Sequence, residues 1–455
     1  MTPVTNTLTA VCIAAALAVS ATPAGAADTA DAAKLKALEQ KLEQSLRMIE
    51  ALQDKVKSLE GSAAAKSAPA NTAAAAEQSA RLDSLERQVS QLGSGLASRS
   101  SSDDGLPVHG FADVGMRRSG ENNAVFGKGN KGAAVGLFDL YLSPQFGDHV
   151  KALVELAVEV DRDGGAAIDL ERLQAGYAFN DALTAWIGRF HTPYGYWNTA
   201  FHHGAQIQTS ILRPRFLDFE DKGGILPTHT VGGWLTGALN VGPARVGYDA
   251  YAGNAPHIEG ATPTAPSLLR RGELNMRAAG SGSHQTSTGF NLWVSPRSLS
   301  ALRIGLHGLR ANVADDLANN TRLNMLGGYG VFIDDNWEVL GEYYHFRNRD
   351  LSGASGTHGS NASYLQAGYN FGRVTPFARA ERTRLDQTDN YFGSQLFGRS
   401  YDRFALGMRY DLNAKSALKF ELNRTRQKDL VAADGITAAP DDSYIEALMQ
   451  FSFRF

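Results

Sequence analysis

From position 107 to the C-terminus the chain is written in long runs that alternate large apolar residues with polar or charged ones. Phe404, Leu406, Met408, Tyr410 and Leu412 alternate with Arg403, Gly407, Arg409 and Asp411, and Val154, Leu156 and Val158 with Lys151, Glu155 and Glu159. Leu302, Ile304 and Leu306 alternate with Arg303 and His307; Leu418, Phe420 and Leu422 with Lys419, Glu421 and Asn423. A strand sends successive side chains to opposite faces, so each run is a strand with one apolar and one polar face. A soluble sandwich gives the same alternation, and the period alone leaves that reading open. Run length decides against it: runs of about ten to fourteen residues exceed the usual soluble strand of about 5–6 and suit a tilted bilayer crossing.

Sixteen runs begin near 107, 132, 149, 168, 182, 229, 244, 284, 300, 321, 336, 360, 373, 399, 415 and 442. Short connections such as Asn180-Asp181, Gly242-Pro243, Asp334-Asp335 and Asn413-Ala414 alternate with long ones near 119–131, 191–228, 255–283, 386–398 and 428–441, the brief 163–167 being the exception. Short turns at one end and long loops at the other are the order of a transmembrane barrel. The expected fold is an all-β transmembrane barrel of about sixteen antiparallel strands over 107–455, preceded by an α-helical coiled-coil segment. An even strand number puts both ends of the barrel segment on the short-turn, periplasmic side.

The N-terminal region reads differently. Residues 8–22 are apolar and lead to Ala24-Gly25-Ala26, an Ala-x-Ala site, so 1–26 is expected to be a secretory signal peptide. Leu35, Leu38, Leu42, Ile49, Leu52, Val56 and Leu59 keep a three-four spacing, with Ser45 in the polar slot, which predicts a coiled coil over 27–60. An Ala/Ser linker over 61–80 is followed by a second short coiled coil over 81–97 (Leu82, Leu85, Val89, Leu92, Leu96) and a linker over 98–106. A heptad stripe buries itself against another copy, so oligomerisation is expected; β-branched residues at two of the four a positions leave dimer and trimer both open. A lone amphipathic helix on the barrel rim is the alternative.

Several function classes are excluded. The net charge of −3 argues against a nucleic-acid binder. The single cysteine, Cys12, lies in the apolar leader, leaving the remainder without disulfides, thiolate nucleophiles or a CxxCH haem site. No apolar run of about 18 residues follows the leader, so a membrane-helix protein is excluded. There is no phosphate-binding Gly-rich loop, no HExxH, and no arrangement that nominates a catalytic nucleophile; no catalytic residue, cofactor or metal is expected. His202-His203 with His191 and His229 lack a ligand spacing, and Arg270-Arg271 reads as a solvated loop tip.

With its Ala-x-Ala leader, heptads, alternating strands and final Phe451-Ser-Phe-Arg-Phe455, the chain resembles Gram-negative outer-membrane porins of sixteen strands. The likeness extends most to the phosphate-selective porin O/P type and relatives with an N-terminal periplasmic coiled coil. The resemblance implies location in the outer membrane, a homotrimer, contact with outer-membrane lipid, passive diffusion of small hydrophilic solutes, and recognition of Phe451, Phe453 and Phe455 by the barrel assembly machinery. It identifies no solute. It also implies that the third long loop, 191–228, folds into the barrel as a constriction. The loop's Tyr194, Tyr196, Trp197, Phe201, Phe216 and Phe219 need somewhere to pack; folding outward or along the rim is the alternative.

Candidate constriction residues are Arg213, Arg215, Asp218, Glu220 and Asp221 on the loop, facing wall residues Arg189, Arg379, Arg403 and Arg409, with Glu155 and Glu159 as opposed acids. Over 107–455 there are 27 Arg and 7 Lys against 35 Asp plus Glu, so no bulk anion preference follows. The planar guanidinium fork nevertheless suits carboxylate and phosphate, which makes a weak anion preference the hypothesis; charges that merely solvate the wall are the alternative. A structural tether, joined through the coiled coil to peptidoglycan or a periplasmic partner, is the second function class. An adhesin would need a larger external passenger, and an enzyme a lone activated residue.

Overall fold

The computed structural model describes residues 108–455 except 121, 124–126, 129–130, 161–165, 202–204, 221–223, 261–271, 277–284, 354, 396–397, 432–436 and 440. The signal peptide, both coiled coils and their linkers lie outside the described residues, as do Asp221, His202-His203 and Arg270-Arg271.

Sixteen long strands form one closed antiparallel barrel. The first eight are β1 Val108–Ser119, β2 Lys131–Leu142, β3 Val150–Val160, β4 Ala166–Asn180, β5 Leu183–His191, β6 His229–Val241, β7 Ala244–Asn254 and β8 Thr286–Pro296. The remainder are β9 Leu302–Asp315, β10 Asn320–Ile333, β11 Trp337–Asp350, β12 Thr357–Tyr369, β13 Val374–Arg384, β14 Tyr401–Asn413, β15 Ser416–Gln427 and β16 Asp442–Arg454. Shorter strands extend the sheet locally and leave this circuit intact. Every expected strand start falls within three residues of the observed one. The barrel closes where β1 meets β16, from Phe111 opposite Arg454 to Ser119 opposite Glu446. Closure removes both sheet edges, so every strand can satisfy its backbone groups on either side. Phe455 completes the seam: its N–H donates to the Gly110 carbonyl at 3.1 Å and its ring stacks on Phe138 at 5.8 Å.

Glycine sets two of the short turns, where Gly242 (φ 53°) and Gly372 (φ 83°) take a left-handed backbone that a side chain would strain. The two faces of the wall are inverted relative to a soluble protein. Outside, Leu365, Phe404, Leu406, Leu422, Ile445 and Ile304 are about half exposed. Inside, Gln366, Arg379, Glu381, Lys419, Glu421, Asn423 and Glu446 are buried. The buried aromatic cluster is also internal and joins Tyr194, Trp197, Phe201 and Phe216 of the 192–228 connection to Tyr344 and Tyr364 of the wall.

Candidate functional site

The connection 192–228 leaves the end of β5 and returns at β6, yet its partners are the inward-facing side chains of β11 to β16. In a closed barrel such contacts run through the interior. The two ends of the connection are tied first. Thr192 N–H donates to the Thr228 carbonyl at 2.8 Å, and the Thr192 and Thr230 hydroxyls share a 2.8 Å bond. Asn198, fully buried, donates to the carbonyls of Thr192 (2.9 Å) and Thr228 (3.2 Å) and accepts from Arg213 at 3.1 Å.

A loop without regular structure carries backbone donors and acceptors that cannot be left unpaired once buried. Here the wall supplies the partners. Glu342 accepts from the backbone N–H of Tyr196 (3.1 Å) and Trp197 (2.7 Å) and from the hydroxyls of Tyr344 and Tyr364 (both 2.7 Å). Glu421 accepts from the N–H of Ile211 (2.6 Å) and Leu212 (3.1 Å), and Glu381 from that of Arg215 (2.8 Å). The cations take the carbonyls. Arg379 donates to Leu212 (2.9 Å) and Arg213 (3.3 Å), Lys419 to Ala205 and Ser210, and Arg409 to Gln206 and Gln208. Aromatic edges fill the space between these grips: Trp197 meets Tyr364 at 5.6 Å and 88°, and Phe216 meets Tyr344 at 5.3 Å and 76°. At Gly195 (φ 62°) an added Cβ would lie 2.2 Å from a Glu342 carboxylate oxygen and 2.4 Å from the Tyr344 hydroxyl, so the backbone approaches as closely as it does only because no side chain is there.

This arrangement corrects the expected division between loop charges and facing wall charges. Arg379 is fully buried, with Glu381 at 2.8 Å and Glu421 at 3.5 Å; it holds backbone and fronts no open water. Arg403 is 7% exposed and spans Thr425 (2.9 Å) and Glu446 (2.6 Å). Arg213 is equally enclosed, with its guanidinium 4.3 Å over the Phe219 ring; burial lowers its pKa, and Asp218 acts against that shift. Glu155 is fully buried and pairs with Arg172 and with His191 at 3.2 Å. The physical reason is common to all four: a buried charge needs a partner, and the loop's backbone and the opposing wall groups provide it.

The other candidates are half-buried or hold the base of the loop. Arg215 donates to the Tyr444 hydroxyl and lies 5.6 Å over Tyr401. Arg409 pairs with Asp411 at 2.7 Å. Arg189 bonds the Glu171 carbonyl at 3.0 Å, Glu159 is half-buried, and Asp218 accepts from Phe219 N–H at 3.0 Å. Glu220 accepts from the N–H of Thr228 (2.6 Å) and His229 (3.1 Å). Burial alone would raise the Glu220 pKa; the charge and hydrogen bond of His229 outweigh it and hold the carboxyl below its ordinary range. His191 and His229 sit opposite each other on β5 and β6 with rings 5.4 Å apart, each beside a carboxylate. Among the described residues no group of three or more His, Cys, Asp or Glu is placed to hold a metal.

Sequence reasoning missed Glu342, Glu381, Glu421 and Lys419. Their signal was parity: each falls on the inward face of an alternating run. Nothing in the sequence says that a distant loop's backbone, rather than another side chain, is the partner.

No protein-family model matches the chain, and no curated protein matches it. Solved structures do. An anion-selective porin from Comamonas acidovorans aligns with a TM-score of 0.52 at 14% identity, over 77% of this chain and 99% of that one. The outer membrane channel DcaP of Acinetobacter baumannii aligns at 0.46 and 12% identity, over 76% and 97%. A loop L8 deletion mutant of OmpT, an outer membrane protein of Vibrio cholerae, aligns at 0.49 and 10% identity, over 77% and 99%. The first of these likenesses carries the fold: this chain has the closed sixteen-strand architecture of a porin barrel.

Proposed function

We propose that the protein is an outer-membrane pore for passive diffusion of small hydrophilic solutes, narrowed by the loop 192–228. The observation that carries the reading is the loop itself, gripped through its backbone by Glu342, Glu421, Arg379 and Lys419 on the inner wall. A segment fixed across part of a water-filled barrel sets its cross-section. The inverted faces support a bilayer setting, because an apolar band this extensive is not left facing water. The anion-selective porin of Comamonas acidovorans shares the fold, and the distribution of charge favours a modest anion preference here too. Glu155, Glu342, Glu381, Glu421 and Glu446 are consumed in buried contacts, the last with Arg403 and with the partly exposed Arg117, while inward-facing Arg245 is exposed.

The test is planar-bilayer conductance of the full-length protein with a reversal potential under a KCl gradient. An anion-side potential is expected; a cation-side potential overturns the selectivity, and no conductance from folded protein overturns the pore. The heptads of 27–60 support an oligomer and leave dimer and trimer both open; the porin resemblance favours the trimer, for which conductance steps in threes are the readout. The tether reading rests on the coiled coil of 27–60, which lies outside the described residues.

A further inference from the structure

The inner wall of β5 to β9 is paved with rings. Register carries the inward parity of Glu342 through Tyr329, Gly305 and Trp293 to Gly247 on β7 and Ala238 on β6. Trp234 shares that parity on β6, and Trp186 on β5 is its direct partner. Trp186, Trp234 and Trp293 are all half-buried. A Cβ added at Gly176 would run into the Trp186 ring, and one at Gly247 into the Trp293 ring, each glycine being the ring's cross-strand partner. These two rings therefore lie flat on the wall. Trp234 lies within 20° of the Trp186 plane, with ring centroids 6.1 Å apart. Rings laid flat on a barrel wall turn their other face to the lumen.

Charges of both signs border the rings. The Arg303 guanidinium lies 4.3 Å over Trp293 and 5.7 Å from the ring of the loop's Tyr196, and that of Arg245 lies 5.9 Å from Trp293. With its face on an indole, Arg303 offers the N–H groups along its edge. Asp249, buried, accepts from Trp234 Nε1–H at 3.1 Å and from Asn291 Nδ2–H at 3.2 Å. An aromatic face is negative, and a carboxylate at the indole N–H makes the Trp234 face more so. The two signs disfavour both kinds of ion. Asp249 beside Trp234 opposes a carboxylate laid on that ring, and the two arginines oppose a cation.

Resting on the pore reading, we infer that this wall is a subsite for a neutral pyranose sugar passing through the channel. Its C–H face lies on Trp186 and Trp234, where polarised C–H bonds meet negative ring faces. Its hydroxyl oxygens accept from the edge N–H groups of Arg303 and from Arg245. Tyr196 brings the constriction loop to the border of the subsite. Aromatic walls with a few placed polar groups are the composition of small-molecule sites. Two rings side by side favour a disaccharide with flat, all-equatorial rings. An open-chain polyol has the hydroxyls and no face to lay on them.

Cellobiose, which has two such rings, is the probe, with mannitol and benzoate as controls. Full-length protein is titrated in detergent, reading tryptophan fluorescence, and in planar bilayers, reading the KCl current. Cellobiose is expected to change the fluorescence and reduce the current saturably, with half-saturation at a concentration at least tenfold below that of mannitol or benzoate. Trp186→Leu/Trp234→Leu should raise that concentration at least tenfold, and Trp186→Phe/Trp234→Phe, which keeps two flat faces, should raise it less. Asp249→Asn, which removes the charge behind Trp234, should weaken cellobiose and strengthen benzoate. Equal cellobiose binding by a double-leucine variant whose heat-shifted gel migration shows a folded barrel overturns the site. So does mannitol or benzoate binding as tightly as cellobiose. Where the double-leucine variant does not fold, an unchanged cellobiose-to-benzoate preference in Asp249→Asn overturns it. KCl conductance without a cellobiose effect overturns this inference alone; cellobiose binding by fluorescence without conductance overturns the pore reading and leaves the subsite standing.

Discussion

Glu342→Gln is the sharpest probe of the loop. The carboxylate takes four hydrogen bonds, two from backbone N–H groups at the start of the loop and two from tyrosine hydroxyls. An amide keeps the shape but offers one acceptor oxygen and a donor nitrogen. The Tyr344 or Tyr364 hydroxyl can turn to accept from that nitrogen; a backbone N–H cannot. One of Tyr196 N–H or Trp197 N–H is therefore left buried and facing a donor, a loss of roughly 1–3 kcal/mol. Taking about 2 kcal/mol, the detached state of this segment becomes about 30-fold more populated, since each 1.4 kcal/mol is a factor of ten. Hydrogen exchange of the Thr199, Ala200 and Phe201 amides reads that opening directly, because their acceptors are the Tyr196 and Trp197 carbonyls of the same turn. Single-channel recording reads its consequence as added open-channel noise and a higher mean conductance. Exchange unchanged in the variant refutes the anchoring argument. Faster exchange with an unaltered current refutes the idea that the loop sets the cross-section.

Gly195→Ala should destabilise the same turn by at least the roughly 1–2 kcal/mol of a left-handed backbone with a side chain, seen as faster exchange over 194–201. Arg245→Ala should move the KCl reversal potential toward zero while unit conductance changes little; an unmoved potential removes this residue from the selectivity. Phe455→Ala, by opening the seam against Gly110 and Phe138, should lower the yield of heat-modifiable folded barrel; an unchanged yield means the seam forms without it. For pH, the Glu220 pKa is lowered in the folded state. A depressed acid stabilises above its unfolded pKa of about 4.3 and loses that contribution as pH falls through the lower folded value. The Thr228 and His229 amides should therefore stay protected at neutral pH and lose protection below pH ~4, and Glu220→Gln should flatten that dependence.

How much of this was legible in the sequence follows from which interactions have a period. Strand number, strand starts and the inward or outward face of each residue are set by alternation and turn chemistry, both local, and so Leu406 and Arg403 could be assigned to opposite faces without coordinates. The loop's departure into the interior was legible only as a need, six aromatic rings requiring cover. Its partners were not legible, because the bonds that fix it run from wall side chains to backbone. A sequence displays which side chains a loop has and hides which of its N–H and carbonyl groups go unpaired. Reasoning from charge therefore placed Arg379 and Arg403 at an open constriction, facing Arg213 and Arg215. The interior obeys a stronger rule: a buried irregular backbone must be satisfied before any charge is left for solutes. Glu342, Glu381, Glu421, Arg379 and Lys419 are used up in that way, Glu446 is taken by Arg403 and by Arg117 of the adjoining β1, and Arg245 on β7 is an inward cation left exposed. On the pore reading proposed above, selectivity is set by what the loop leaves over, and a wall residue's contribution to it depends on whether the loop's backbone has already claimed it.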